Sequence, residues 1–103
     1  MLKKESDNQT ALILRALDSD LRRELLRIAA MSPLDAEGYY KAIAERGFNI
    51  RYKESVYKEL QFLVEAGMIE KFYDVKSKKI LYRIALSRVS IHLPTMEVSI
   101  STE

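Results

Sequence analysis

Residues 50–84 read IRYKESVYKELQFLVEAGMIEKFYDVKSKKILYRI, and this stretch decides the fold. Its first part, Lys53 to Ala66, has apolar residues at spacings of three and four, which are Val56, Leu60, Leu63 and Val64. Residues at these spacings share one face of a helix, so the pattern predicts an amphipathic helix with a polar opposite face. Gly67 is a natural C-terminal stop for that helix.

The remainder of the stretch predicts a β-hairpin. We expect a strand over residues 68–73, a turn over the basic sequence DVKSKK at 74–79, and a returning strand over 80–84. A helix with a polar face followed by a basic hairpin is typical of a winged helix-turn-helix.

The residues before this stretch predict three more helices. The first starts near Gln9 or Thr10 and contains the apolar run ALILRAL at 11–17. Asp18-Ser19-Asp20 is a strong N-cap cluster for the second, which has its apolar stripe at Leu21, Leu25, Ile28 and Ala29.

Pro33 ends the second helix, because proline disfavours helical geometry at the residue before it. Asp35 is then the N-cap candidate for a third helix over residues 36–46, with Gly47 after its end. We expect its core face to contain Tyr39 or Tyr40, with Ala42 and Ile43, and we expect Phe48 and Ile50 to be buried in the connection that follows.

Residues 87–103 change to a period of two, which predicts a β-hairpin or a bent strand around Pro94-Thr95. The predicted fold class is therefore α+β and mainly α. It is a winged helix-turn-helix with a three-helix core, an added N-terminal helix, a hairpin wing and an extra C-terminal β segment. The predicted organisation is a flexible tail over 1–9, the winged helix over 10–86 and the β extension over 87–103.

Composition favours a small cytoplasmic protein. The 103 residues allow one domain, no apolar run has the roughly 20 residues that span a bilayer, and the N-terminus has no apolar signal region. The net charge is only +2, but residues 51–88 have a charge of +4 and the remainder −2. Basic charge concentrated on the helix and hairpin is what a nucleic-acid interface requires, although a solvated charged surface is the alternative.

Three segments resemble ArsR-type transcriptional repressors. Residues 14–30 (LRALDSDLRRELLRIAA) are similar to the first helical segment of that family, 55–72 (SVYKELQFLVEAGMIEKF) to its recognition helix and first wing strand, and 76–86 (KSKKILYRIAL) to its basic wing and return strand. The resemblance covers about residues 12–86. It implies a DNA-binding repressor that dimerises through its N-terminal helix.

Two features depart from that family. The connection ERGFNIRY at 45–52 is longer than the usual tight turn and, together with Gly38-Tyr39, is closer to PadR-like regulators, whose long C-terminal dimerisation helices this chain lacks. The chain also has no cysteine and one histidine, so the metal sensing of some ArsR members is not carried over. We expect no metal and no cofactor.

The predicted recognition helix enters the major groove, and the wing contacts the DNA backbone or minor groove. Lysine neutralises phosphate or donates to guanine, glutamine pairs with adenine, and glutamate accepts from cytosine. The alternative for this face is a solvated helix surface with a Glu54–Lys58 pair, and for the wing it is an edge hairpin protected by lysines. The predicted DNA-binding residues are Arg51, Tyr52, Lys53, Glu54, Ser55, Tyr57, Lys58, Gln61, Lys76, Lys78 and Lys79.

The first helix is more apolar than a covering helix requires, which favours a symmetric homodimer with its interface at Leu12, Ile13, Leu14 and Leu17. His92 has no carboxylate pair nearby, and no catalytic, glycine-rich or zinc motif appears, so we expect no enzyme. The competing hypothesis is a winged helix used for protein–protein assembly, supported by the acidic residues Glu54, Glu59 and Glu65. A small-molecule effector has only weak support, from Tyr39 and Tyr40.

Overall fold

The computed structural model describes residues 2–4 and 7–102. Within those residues the chain forms one short strand, four helices and then four strands. The helices are α1 (Asp7–Leu17), α2 (Asp20–Met31), α3 (Ala36–Glu45) and α4 (Lys53–Glu65). The strands are β1 (Leu2–Lys4), β2 (Ile69–Asp74), β3 (Lys79–Ile84), β4 (Arg88–His92) and β5 (Glu97–Ser101). No described helix has the length and apolarity needed to cross a membrane.

Local sequence signals set the helix boundaries. The Ser19 side chain accepts a hydrogen bond from the Arg22 N–H (3.2 Å), and Asp35 accepts one from the Gly38 N–H (2.8 Å), so both predicted caps are confirmed. Gly47 and Gly67 follow α3 and α4 with φ of 87° and 76°. Glycine adopts that conformation without the strain that a Cβ atom causes in most residues, which explains why both helices end there.

The core lies between the four helices and the base of the hairpin. The fully buried side chains come from every helix, and they include Ile13, Leu25, Tyr39, Ile43, Val56, Leu60 and Leu63. Of the two tyrosines in α3, Tyr39 is the core residue, whereas Tyr40 is half-buried and donates to the Ile50 carbonyl (3.3 Å). Phe48 and Ile50, which we predicted as buried, are half-buried against the core.

The β2–β3 hairpin is the predicted wing. Its strands pair antiparallel from Ile69 opposite Ile84 to Asp74 opposite Lys79. The loop before α3 fixes this hairpin to the helices through a one-residue bridge between Leu34 and Tyr82. The wing is thus held at a defined angle to the helices.

A second sheet has the strand order β1-β5-β4. The C-terminal segment is therefore a hairpin, which is one of the two predicted alternatives. Its Val98 is buried in the core, and Val89 and Ile100 pack against the core. β1 pairs antiparallel with β5, from Leu2 opposite Ser101 to Lys4 opposite Ser99.

The structure differs from the prediction of a flexible tail over residues 1–9. That stretch contains β1, and α1 begins at Asp7. The strand has three residues and two of them are lysines, so no local pattern identifies it, and only its long-range pairing with β5 defines it. The Gln9 side chain also donates to the Ala66 carbonyl (3.0 Å), which links α1 to the end of α4.

Candidate nucleic-acid interface

The outer face of α4 is open to solvent. Of the eight predicted contact residues on α4 or directly before it, seven are exposed: Arg51, Tyr52, Lys53, Glu54, Ser55, Lys58 and Gln61. Tyr57 is half-buried instead. The opposite face places Val56, Leu60 and Leu63 in the core, which fixes the rotation of the helix about its axis.

The N-terminus of α4 differs from those of α2 and α3. Its N-cap residue is Tyr52, whose side chain makes no capping hydrogen bond. The first turn of a helix carries unpaired N–H groups and partial positive charge, which attract phosphate. Because the N-cap side chain of α4 does not cover these groups, they can donate to an anion such as a phosphate.

Lys53, the first residue of α4, is paired with α3. Its ammonium lies 2.9 Å from Glu37 Oε1, and the Tyr57 hydroxyl donates to Glu37 Oε2 (3.3 Å). The hydrogen bond from Lys53 lowers the pKa of Glu37, and the same bond raises the pKa of Lys53. Burial and the Glu37 carboxylate raise the pKa of Tyr57. At neutral pH all three groups therefore keep their usual charges.

The wing reaches the same end of α3. Lys79 Nζ lies 3.4 Å from Asp35 Oδ2, and the Gly38 N–H together with Lys79 lowers the pKa of Asp35. Asp35 and Glu37 are two residues apart. The first turn of α3 therefore lies between a lysine of α4 and a lysine of the wing, and it brings the two predicted contact regions close together.

The turn at the tip of the wing is exposed and basic. Lys76, Lys78 and Lys79 are all solvent-exposed. The Asp74 side chain accepts a hydrogen bond from the Ser77 N–H (2.9 Å), and the hydrogen bonds from Ser77 lower the pKa of Asp74. The structure pairs Lys79 with Asp35 and shows no ion pair for Lys76 or Lys78 with any residue it describes.

Sequence reasoning missed several parts of this surface. Tyr73 and Val75 are exposed beside the lysines, at 57% and 76%. The strand alternation already signals Tyr73, because its neighbour Phe72 takes the inward position. Asp35 and Glu37 were missed as partners of the lysines, since the partners lie 16 and 44 residues apart in sequence.

The predicted dimer residues do not share one environment. Ile13 is fully buried inside the chain, so its assignment to an interface is wrong. It lies on the side of α1 that packs on the core, and the 3.6-residue helical period alone did not show which side that is. Leu12 and Leu17 also pack partly against the core, and Leu14 is half-buried.

The described residues contain no cluster of three or more His, Asp or Glu side chains with metal-binding geometry. His92 Nδ1 lies 2.9 Å from Thr95 Oγ1 within the β4–β5 turn, where both side chains are exposed. The sole histidine therefore has a local partner in its own turn.

No protein-family profile and no curated protein matches the sequence. The fold is similar to that of the ferric uptake regulator from Pseudomonas aeruginosa, solved with manganese. The TM-score is 0.58 at 20% sequence identity, and the match covers 92% of this chain and 75% of that chain. Similarity at this identity establishes the fold alone. The chain is thus a winged-helix protein of four helices and a two-stranded wing, as predicted.

Proposed function

We propose that this protein is a sequence-specific, double-stranded DNA-binding transcriptional regulator that acts as a homodimeric repressor. The observation that carries the proposal is the juxtaposition of an exposed α4 face with a lysine-rich wing around the first turn of α3. The sequence resemblance to ArsR-type repressors supports the same function, and the similar fold of a ferric uptake regulator agrees with it.

In this proposal the N-terminal half of α4 lies in the major groove. Lys58 and Gln61 are exposed one turn apart and offer a cation and a side-chain amide to base edges. Arg51 and Tyr52 lie at the entrance to the helix, where the guanidinium is 5.4 Å from the centre of the Tyr52 ring. These two residues contact the backbone, and the wing lysines contact the phosphates that flank the groove.

Binding requires an exchange of partners at Lys53. Its ammonium already pairs with Glu37, so a DNA phosphate must compete with a carboxylate for the same cation. Lys79 and Asp35 are in the same situation. Lys58, Lys76 and Lys78 have no such competitor among the described residues, and they supply the cations that are available before DNA arrives.

The test is a fluorescence-anisotropy titration of the full chain with DNA duplexes chosen by random-oligonucleotide selection. Lys58→Ala and Lys53→Ala weaken binding, whereas Arg27→Ala, which removes an exposed cation from α2, leaves it unchanged. Unchanged binding in both α4 variants would refute the assigned face. If selection enriches no sequence, the protein does not read bases.

The second candidate is a protein–protein assembly module. The observation in its favour is that Asp35 and Glu37 partly neutralise the cationic surface. Glu59 no longer supports it, because Arg22 pairs with this carboxylate at 2.7 Å. Recovery of a stoichiometric protein partner, together with no DNA affinity at low salt, would favour this function over the first.

We also propose that the regulator is a cytoplasmic dimer, with α1 at the interface through Leu14 and the exposed parts of Leu12 and Leu17. A two-fold dimer presents two α4 helices to half-sites about 34 Å apart. Sedimentation of Leu14→Glu tests the interface: we expect a monomer, with weaker binding to a two-half-site duplex. A variant that remains dimeric would place the interface elsewhere.

A further inference from the structure

A cavity of about 300 Å³ lies where the helices, the base of the wing and the C-terminal sheet meet. It is not part of the DNA-binding surface proposed above. Its walls are mostly aliphatic, and the apolar lining residues are Leu17, Leu26, Met68, Ile84, Leu86 and Val89. The volume is at the lower end of the range for small-molecule sites, which are typically apolar with a few polar groups that orient the ligand.

Two polar residues complete the lining. Ser87 and Arg88 are consecutive, and both border the cavity on the side of the C-terminal sheet. The Ser87 hydroxyl donates to the Ser101 carbonyl at 3.4 Å, which connects β5 to this edge. Arg88 is exposed, and the structure shows no ion pair, hydrogen bond or ring contact for its guanidinium among residues 2–4 and 7–102.

Arg88 lines the cavity and its guanidinium is unpaired among the described residues, so the ligand that complements the site is an anion with an apolar body. Arginine binds carboxylate through two parallel hydrogen bonds, and such charge-assisted bonds are stronger than neutral ones. The aliphatic walls gain free energy by covering an apolar group. A neutral hydrocarbon would form no hydrogen bond with the guanidinium. A small inorganic anion would leave the aliphatic walls exposed to water.

We propose that this cavity binds a small monocarboxylate with an apolar body, with the carboxylate on Arg88 and the hydrocarbon between the aliphatic walls. Met68 directly precedes β2 and Ile84 ends β3, so the bound molecule contacts both sides of the base of the wing hairpin as well as α1 and α2. This proposal is argued from the cavity and from the charge of Arg88, and it holds whether or not the protein binds DNA.

The experiment is isothermal titration calorimetry of the full chain with octanoate and with its neutral analogue octanamide. We expect saturable one-to-one binding of octanoate, with octanamide weaker by roughly ten- to a hundredfold because it lacks the charge-assisted bonds. Arg88→Gln lowers octanoate affinity to that of octanamide and leaves octanamide unchanged. Arg27→Gln removes one exposed cation from α2 and has no effect on either probe.

A second variant tests the cavity apart from the charge. Val89→Phe places a larger side chain in the wall at a strand position that tolerates aromatic residues, and binding of both molecules is lost while the melting temperature is retained. The proposal is overturned if the folded wild-type chain shows no saturable octanoate binding. It is also overturned if octanamide binds as tightly as octanoate, or if Arg88→Gln retains the preference for the carboxylate.

Discussion

The two hairpins of this protein have the same backbone turn and different chemistry. In the wing, the Lys78 N–H donates to the Asp74 carbonyl (2.8 Å) and Lys78 has a φ of 58°. In the β4–β5 hairpin, the Met96 N–H donates to the His92 carbonyl (2.7 Å), and Met96 has the same φ. Both turns thus close with an i to i+4 hydrogen bond and a left-handed residue before the second strand.

The side chains on these turns are not alike. The wing turn reads VKSK and is followed by Lys79 at the start of β3, so it carries three exposed lysines, whereas the other turn reads LPTM and exposes Leu93 at 73% and Met96 at 55%. The hairpins are also attached differently. In the wing, Tyr82 forms a backbone bridge with Leu34, and its carbonyl accepts a hydrogen bond from the Tyr39 hydroxyl. The C-terminal hairpin instead pairs with a third strand, β1. Turn geometry is therefore compatible with either role, and the surface residues distinguish the two hairpins.

Neutralising the wing turn is the largest expected effect. The triple variant Lys76→Gln, Lys78→Gln, Lys79→Gln removes three phosphate partners, so the slope of log affinity against log salt becomes shallower by about 2.7. That difference is roughly fortyfold in affinity between 50 and 200 mM salt. Anisotropy titrations at several salt concentrations measure the slope.

The matched control changes the other turn. Leu93→Gln with Met96→Gln alters two exposed residues of the β4–β5 hairpin and leaves the salt slope at its wild-type value. Equal effects from the two turns would remove the functional distinction between the hairpins.

The attachment of the wing predicts a pH effect on stability. Burial raises the pKa of Tyr39 to about 12, and its hydroxyl donates to the Tyr82 carbonyl at 2.9 Å. An unfolded tyrosine ionises near pH 10. Because the folded state retains the proton to higher pH, the stabilisation from Tyr39 is fully present and independent of pH below about 10, and the free energy of unfolding falls as pH rises from about 10 towards about 12.

Tyr39→Phe removes both the hydrogen bond and the ionisable group. We expect a loss of about 1 kcal/mol at neutral pH and a weaker decline of stability above pH 10, measured by urea denaturation. Tyr73→Phe is the matched control, because Tyr73 is exposed on the wing and should change neither quantity. A steep decline that persists in Tyr39→Phe would assign the alkaline transition to other groups.

Most of the fold could be predicted because its helix boundaries and buried faces depend on residues that are close together in sequence. The caps at Ser19 and Asp35, the stops at Gly47 and Gly67 and the apolar face of α4 each depend on neighbours within a few residues. Features set by long-range packing were not predictable. β1 exists only through its pairing with β5, and Ile13 is a core residue only because the rest of the chain covers that side of α1.

The same division applies to the candidate site. Exposure of Lys53 and Lys58 follows from the helical pattern, since the opposite face is apolar. The partner of Lys53 could not be predicted from that pattern, because Glu37 belongs to another helix. Only the packing of α3 against α4 brings the two groups to 2.9 Å. Sequence patterns identify which side chains face outward, and the tertiary structure decides which of them are already paired.

Glu37→Gln tests whether the ion pair of Lys53 with Glu37 limits the contribution of this lysine to DNA binding. Removing the carboxylate frees the ammonium of Lys53 for phosphate, so we expect binding to strengthen by roughly threefold and the salt slope to steepen by up to about 0.9. Glu45→Gln, at the other end of α3, removes the same charge and controls for the net-charge change. If the two variants behave alike, the Lys53–Glu37 pair does not restrain binding.

The smallest expected effect comes from the left-handed residue of each turn, where backbone strain and side-chain charge can be tested separately. Lysine and methionine are strained at a φ of 58°, whereas asparagine tolerates the left-handed region, so Lys78→Asn and Met96→Asn should each stabilise the fold by roughly 0.5 kcal/mol in thermal unfolding. Only Lys78→Asn should also weaken DNA binding and reduce the salt slope, by about 0.9. Because the two substitutions relieve the same strain, any difference in DNA affinity between them reports the lysine charge alone. Equal DNA affinities would show that the wing tip does not contact phosphate.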